Sequence, residues 1–209
     1  MRLLVATTNK NKVQEIRALL DGAPVELVTL GAFPPLPSPE ETGRTFEENA
    51  RQKAFYYARA TGELTVADDS GIEIDALGGA PGVESARFGG ADTTYPDKFA
   101  RIYDALHSKG AFAHNAARFV CAVALAQGDR IVFETRGTVE GEIAPEPRGS
   151  GGFGYDPIFF YPPYGRTLGE VTDTQKSAVS HRGQAFRKLR EFLLMFASEQ
   201  PGSQARDSR

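Results

Sequence analysis

Residues 66–75, Val-Ala-Asp-Asp-Ser-Gly-Ile-Glu-Ile-Asp (VADDSGIEID), place two acids side by side where an apolar run ends. Successive side chains of a β-strand point to opposite faces, so an uninterrupted strand would not aim Asp68 and Asp69 into one site. Asp-Asp-Ser-Gly is also good turn chemistry. The stretch therefore reads as a strand over Leu64–Ala67 that ends in a turn at the acids. The turn releases both carboxylates from strict alternation. One of them can then hold a hard cation or take a proton from water, and Ser70 can donate to a phosphate.

Moving outward, the same strand-then-polar-turn pattern occurs at the N-terminus. Leu3–Ala6 is a short buried strand, Thr7–Lys12 is polar, and Val13, Ile16, Leu19 and Leu20 recur at helical spacing with Gly22 beyond. Val25–Leu30 reads as a second strand. Residues 31–43 hold four prolines and exclude regular helix or central strand. Thr45-Phe-Glu-Glu48 is a capping-box pattern for a helix running to Ala60 and stopping near Gly62. Thr94-Tyr-Pro96 starts another helix, whose apolar face is Phe99, Ile102, Tyr103 and Leu106. Phe119–Ala126 and Arg130–Thr138 flank Gln127-Gly-Asp129 as a hairpin. A last helix spans roughly Arg182 to Ser198, before a polar tail over 199–209. The expected class is α/β: two lobes around a mixed sheet with flanking helices and a central cleft, all within one domain over 1–198.

Composition narrows the function. A net charge of −3 supplies no global field for nucleic acid or acidic membranes, and no apolar run is long enough to span a bilayer. Any anionic ligand must be held by local cations and backbone N–H groups. The single cysteine, Cys121, excludes an internal disulfide and a multi-cysteine zinc site; within Arg118–Ala126 it reads as a small core residue. His107, His114 and His181 lack metal-ligand spacing. The short apolar segment at the N-terminus reads as a first core strand and not as a signal peptide, and the expected setting is the cytoplasm.

Four further clusters carry chemistry. Thr7, Thr8, Asn9, Lys10, Asn11 and Lys12 sit between a strand and a helix start, where N–H groups and the two lysines favour an anion; no Walker pattern is present. Glu40 and Glu41 close the proline-rich loop without a capping role and could be oxygen ligands to a hard cation. Gly149, Gly151 and Gly154 satisfy GxGxxG, but Asp156-Pro157 and an aromatic run follow, not a helix, so this is no dinucleotide fingerprint; Phe153 or Tyr155 can instead stack on a base. Lys176, His181 and Arg182 make an anion or polar-base clamp at the mouth of the last helix.

In order, the landmarks ATTNKNKVQEI (6–16), EETGRTFEENARQKA (40–54), ADDSGIEIDALGGAPGVESARF (67–88), GGFGYDPIF (151–159) and KSAVSHRGQA (176–185) resemble the inosine/xanthosine triphosphate pyrophosphatase family, enzymes of non-canonical purine nucleotides. The resemblance runs from about Leu3 to Leu193, departing at Thr8, where the family usually has glycine or serine. It implies Mg2+-dependent hydrolysis of ITP, dITP or XTP to monophosphate and pyrophosphate, in a two-lobed homodimer. Carried over, it assigns Asp69 as general base and metal ligand with Asp68 beside it, and Glu40 or Glu41 as the loop ligand, Glu40 favoured. Substrate contacts are then Thr7 to Lys12, Lys53, Ser70, Phe153, Gly154, Tyr155, Asp156, Lys176, His181 and Arg182.

Overall fold

The computed structural model describes residues 1–111 and 115–199, so His114 and the proposed tail from 200 onward lie outside the described residues. In chain order the elements are β1 (Arg2–Val5), α1 (Lys10–Leu19), β2 (Glu26–Thr29), α2 (Phe46–Thr61), β3 (Leu64–Ile74), α3 (Tyr95–Ser108), β4 (Ala116–Gln127), β5 (Arg130–Ile143), β6 (Phe159–Tyr161), β7 (Arg166–Thr167), α4 (Asp173–Val179) and α5 (His181–Glu199). They build one seven-stranded sheet in the order β2-β1-β3-β4-β5-β6-β7. The β2-β1-β3 pairs are parallel and the rest antiparallel.

The expected turn at the acids does not form. β3 runs straight through Asp68-Asp69-Ser70-Gly71 and stays paired with β4 from Thr65↔Ala126 to Ile74↔Ala117. Turn propensity in Asp-Ser-Gly yields here to ten residues of ladder hydrogen bonds and to the β-branched and apolar residues on either side. Elsewhere the local signals hold. Thr45 Oγ1 caps α2 at the Glu48 N–H, 3.2 Å, and Gly62 ends it with φ +73°. The reciprocal half of the capping box is altered, since the Glu48 carboxylate takes the Arg44 N–H, 2.6 Å. A short helix, α4, precedes the last one, so Lys176 sits on a helix and not in a connecting loop.

Strands β3, β4 and β5 are long enough to serve two lobes. In the first, α1 and α5 cover one sheet face with Ile16, Leu20, Phe186, Leu189 and Leu193 over Leu3, Val66, Val123 and Leu125. α2 covers the other face, where Ala50, Ala54 and Ala58 meet Ala122, Ala124 and Ala126; side chains this small let helix and sheet lie close. In the second lobe, α3 and the chain after β5 pack Ile102, Leu106, Ile158 and Phe159 on Ile72, Ile74, Phe119 and Val139. The opposite face there carries Glu73, Arg118 and Glu140, a charged ladder left to water. Each large side chain fully buried in these cores contributes roughly 1.5–3 kcal/mol.

Candidate active site

Strand β1 is short, and that shortness makes the site. It pairs with β3 only over Leu64–Val66, and the last contact is the Ala6 N–H donating to the Val66 carbonyl, 2.8 Å. The chain then leaves the sheet through Thr7 and Thr8 into α1. Beyond Val66, β3 has no strand beside it on that edge among the described residues. A cavity of about 290 Å3 opens there. Because it lies at an edge, it reaches both faces of β3, so Asp68 and Asp69 point to opposite sides of the sheet and still line one cavity.

On the α1/α5 side, Asp68 is 3% exposed. Its Oδ2 accepts from Lys12 Nζ at 2.9 Å, Arg182 Nη2 at 3.2 Å and Ser70 Oγ at 3.2 Å. Burial alone would raise its pKa, but the charges of Lys12 and Arg182 prevail and hold the carboxyl far below the usual carboxylate range. Its other oxygen, Oδ1, is buried without a partner among the described residues.

On the α2 side, Asp69 Oδ1 accepts from Lys53 Nζ at 2.9 Å and Oδ2 from Asn49 Nδ2 at 3.2 Å. Asn49 Oδ1 in turn accepts the Gly43 N–H, 2.8 Å, which fixes the amide orientation and ties the proline-rich loop to the acid. Burial, with Glu41 nearby, raises the Asp69 pKa against the pull of Lys53. Lys53 also donates to Glu41 Oε1 at 2.7 Å, so two carboxylates converge on one ammonium. Among the described residues no three Asp, Glu, His or Cys side chains meet at one metal position. Mg2+ seldom needs three: one or two carboxylates, waters and substrate phosphates complete its octahedron. Glu41 and Asp69 fit that pattern, as does the unpartnered oxygen of Asp68.

The far end of the cavity is built by the 149–156 loop and the α4–α5 junction. Positive φ at Gly152 and Gly154 (+67° and +70°) turns the loop tightly about Phe153, whose N–H donates to Asp156 Oδ2 at 2.7 Å. The same oxygen takes Lys176 Nζ at 2.7 Å. Lys176 Nζ and the Arg182 guanidinium also lie 4.3 and 5.7 Å from the centre of the Phe153 ring. His181 stacks on Phe119 at 4.8 Å. Burial first, then the charges of Arg182 and Lys176, push its pKa well below 6.5 and keep it neutral; its Nδ1 is buried without a partner among the described residues. α5 comes this close to β5 because residue 137 is glycine. A Cβ there would collide with the His181 carbonyl.

Of the residues singled out from the sequence, Thr7, Thr8, Asn9, Lys12, Glu41, Lys53, Asp68, Asp69, Ser70, Phe153, Gly154, Tyr155, Asp156, Lys176, His181 and Arg182 all line this cavity. Lys10, Asn11 and Glu40 do not. Asn9 Oδ1 caps α1 at the Asn11 and Lys12 N–H groups, which sends Lys10 outward. The favoured loop acid, Glu40, is exposed beside Gln52, Phe55 and Tyr56 in a separate groove, and Glu41 takes the inward position. Three residues were missed: Tyr95, which lines the cavity, and Asn49 and Glu15, which bond its charged groups. Glu15 bridges Lys176 at 2.8 Å and Arg182 at 2.7 Å; its position three residues after Lys12, on the same helical face, was a usable signal. Asn49 and Tyr95 offered none, since their roles arise from distant chain segments.

Paired cations and buried acids at one end of a cavity, with an aromatic ring and polar clamp at the other, define a site for a small phosphorylated ligand. The chain belongs to the Ham1 family, which it matches over residues 3–192. It is 48% identical over 187 residues to a dITP/XTP pyrophosphatase of Gloeobacter violaceus, covering 90% of this chain and 91% of that one. A solved HAM1 protein from Coxiella burnetii superposes with a TM-score of 0.87 at 39% identity, over 93% and 99% of the two chains. The nucleoside-triphosphatase / dITP/XTP pyrophosphatase of Mycobacterium abscessus gives 0.74 at 41% identity, over 90% and 98%.

Proposed function

We propose that this protein hydrolyses non-canonical purine nucleoside triphosphates, ITP, dITP and XTP, to the monophosphate and pyrophosphate, and so cleans the nucleotide pool. The observation that carries the reading is the sheet-edge cavity, which joins the Asp69–Lys53–Glu41 cluster to the Phe153–Asp156–Lys176–His181–Arg182 cluster. One suits a polyphosphate and the other a purine.

In this reading Lys12 and Lys53 face the triphosphate and screen its charge, which otherwise repels an attacking oxygen. Asp69 orients a water at the α-phosphorus and accepts its proton. The new P–O bond forms from that water, and the bond from the α-phosphorus to the bridging oxygen breaks, releasing pyrophosphate. A raised pKa suits Asp69 to proton transfer, whereas Asp68, held ionised, anchors Lys12 and Arg182. Glu41 and Asp69, with Asp68 in support, would hold Mg2+, which when bound neutralises phosphate charge. Phe153 stacks on the base, and Asp156, Lys176, His181 and Arg182 offer polar groups to its edge. A donor facing a 6-oxo group would face an amino donor in adenine, and such a mismatch costs roughly 1–3 kcal/mol. The same reading places the enzyme in the cytoplasm as a homodimer; among the described residues no helix is long and apolar enough to cross a membrane.

The test is turnover of ITP, XTP, dITP, ATP and GTP with Mg2+, the products identified by chromatography. ITP, dITP and XTP should give monophosphate and pyrophosphate well ahead of ATP, which carries a 6-amino group, and of GTP, which shares the 6-oxo group and differs from ITP by its 2-amino group. Equal rates on all five, or orthophosphate alone, would sink the proposal.

A further inference from the structure

Two side chains of α3 have no part in the chemistry above: Tyr95, which lines the cavity, and Lys98, whose ammonium lies against the Tyr95 ring. Lys98 is 3% exposed. Its ammonium donates to the Ala86 carbonyl and lies 4.9 Å from the centre of the Tyr95 ring. Lys12, Lys53, Lys176 and Arg182 are each paired with carboxylates, but Lys98 pairs with none among the described residues. A buried ammonium without a counter-ion is destabilising, and here the Ala86 carbonyl and the Tyr95 ring are what compensate it.

Tyr95 lines the cavity and is 39% exposed. It packs edge-on against Tyr155, ring centres 5.4 Å apart at 87°, with its hydroxyl beside Gly154, so it belongs to the base-binding end. A cation against an aromatic ring draws on the ring's electron-rich face. What remains of that ring is then a poorer neighbour for a cation and a better one for an electron-rich or anionic π system. The 6-oxopurines differ in this respect. Xanthine carries a second oxo group that acidifies the ring, so it bears negative charge near neutral pH, whereas hypoxanthine stays neutral.

We propose that Tyr95 and Lys98 form a cation-backed aromatic wall that favours xanthine over hypoxanthine in this cavity. Tyr95 is the specificity residue that touches the base, and Lys98 is a positioning residue acting through it. The inference rests on the pyrophosphohydrolase reading and deepens it.

The experiment measures kcat/KM on XTP and ITP, and calorimetric binding of XMP and IMP, for the wild type, Lys98→Met, Lys98→Arg, Tyr95→Leu and Tyr95→Phe, each checked by its Tm. Lys98→Met and Tyr95→Leu should lower the XTP:ITP ratio about three- to tenfold, chiefly through KM. Lys98→Arg and Tyr95→Phe, which keep charge and ring, should stay near the wild-type ratio. Equal losses on both substrates, or an unchanged ratio in well-folded Lys98→Met, would overturn the proposal. Should Lys98→Met not fold, the half-exposed Tyr95→Leu decides: an unchanged ratio there overturns it equally. A wild type that hydrolyses neither nucleotide would remove the parent reading alone, and the XMP:IMP binding ratio would still test the wall.

Discussion

Burial acts on Asp68 and Asp69 alike, yet their carboxyl groups shift in opposite directions, because strand alternation gives them different neighbours. Asp68 meets Lys12 and Arg182 on one face, and two cations outweigh its desolvation. Asp69 meets one lysine that it shares with Glu41, and desolvation prevails. In the proposed mechanism these two acids, linked by a peptide bond, serve as a fixed anion and a proton acceptor. Asp69→Asn keeps the shape and removes the acceptor. Turnover should fall about 10²–10⁴-fold, while calorimetry should still register nucleotide binding. Near-normal turnover would refute Asp69 as the base. Of this pair, the sequence singled out both acids, which do line the cavity, but not why they differ, since every partner except Ser70 lies far along the chain.

At the scale of elements, the caps of α2 and α3 and the main apolar spacings were legible. Thr45, Thr94 and Gly62 bound their helices where local chemistry says they should. The β3 turn was misread because Asp, Ser and Gly are turn formers locally, and nothing local reports that β4 will pair with them. α4 was missed for a related reason: seven residues make a helix too short to show a periodic face. The approach of α5 to β5 was equally hidden, because it depends on a glycine whose φ is ordinary and whose importance lies in what sits above it. Gly137→Ala should push the His181 end of α5 off the sheet. We expect a loss of about 1–3 kcal/mol in urea unfolding and a rise in KM, because His181 and Arg182 travel with that helix. Unchanged stability would show that the helix yields without strain.

For the whole molecule, three long strands carry both lobes, and loop contacts cross between them. Arg87 of the second lobe donates to the Glu41 side chain and carbonyl at 3.3 and 3.2 Å. Stability should report the buried base of this junction. His181 is held neutral, with its pKa well below 6.5 in the fold. Below 6.5 the unfolded chain takes up a proton that the folded one refuses. The stability conferred by neutral His181 is therefore complete above 6.5 and lost as pH falls, by up to about 1.4 kcal/mol per pH unit. Urea unfolding at neutral pH and about one unit below 6.5 should show this slope, and His181→Phe, which preserves the stack on Phe119, should remove its share. An identical slope in the variant would mean that His181 is not the group responsible.

By itself the sequence determined the α/β class, the order of the main elements, the family resemblance and most of the charged and polar residues that line the cavity. The class and the element order follow from local rules of period, caps and breakers, whereas most of the site residues came with the family resemblance, carried by motifs in their order along the chain. Only the tertiary structure decided that Glu41 and not Glu40 turns inward, that Asn49 and Glu15 bond the charged groups of the cavity while Tyr95 lines it, and that Asp68 and Asp69 reach one cavity from opposite faces of an unbroken strand. Alternation along a strand is a property of the strand, but access to it depends on where its neighbour stops. β1 ends at Val5, and the edge of β3 beyond it is where the two acids meet the same space.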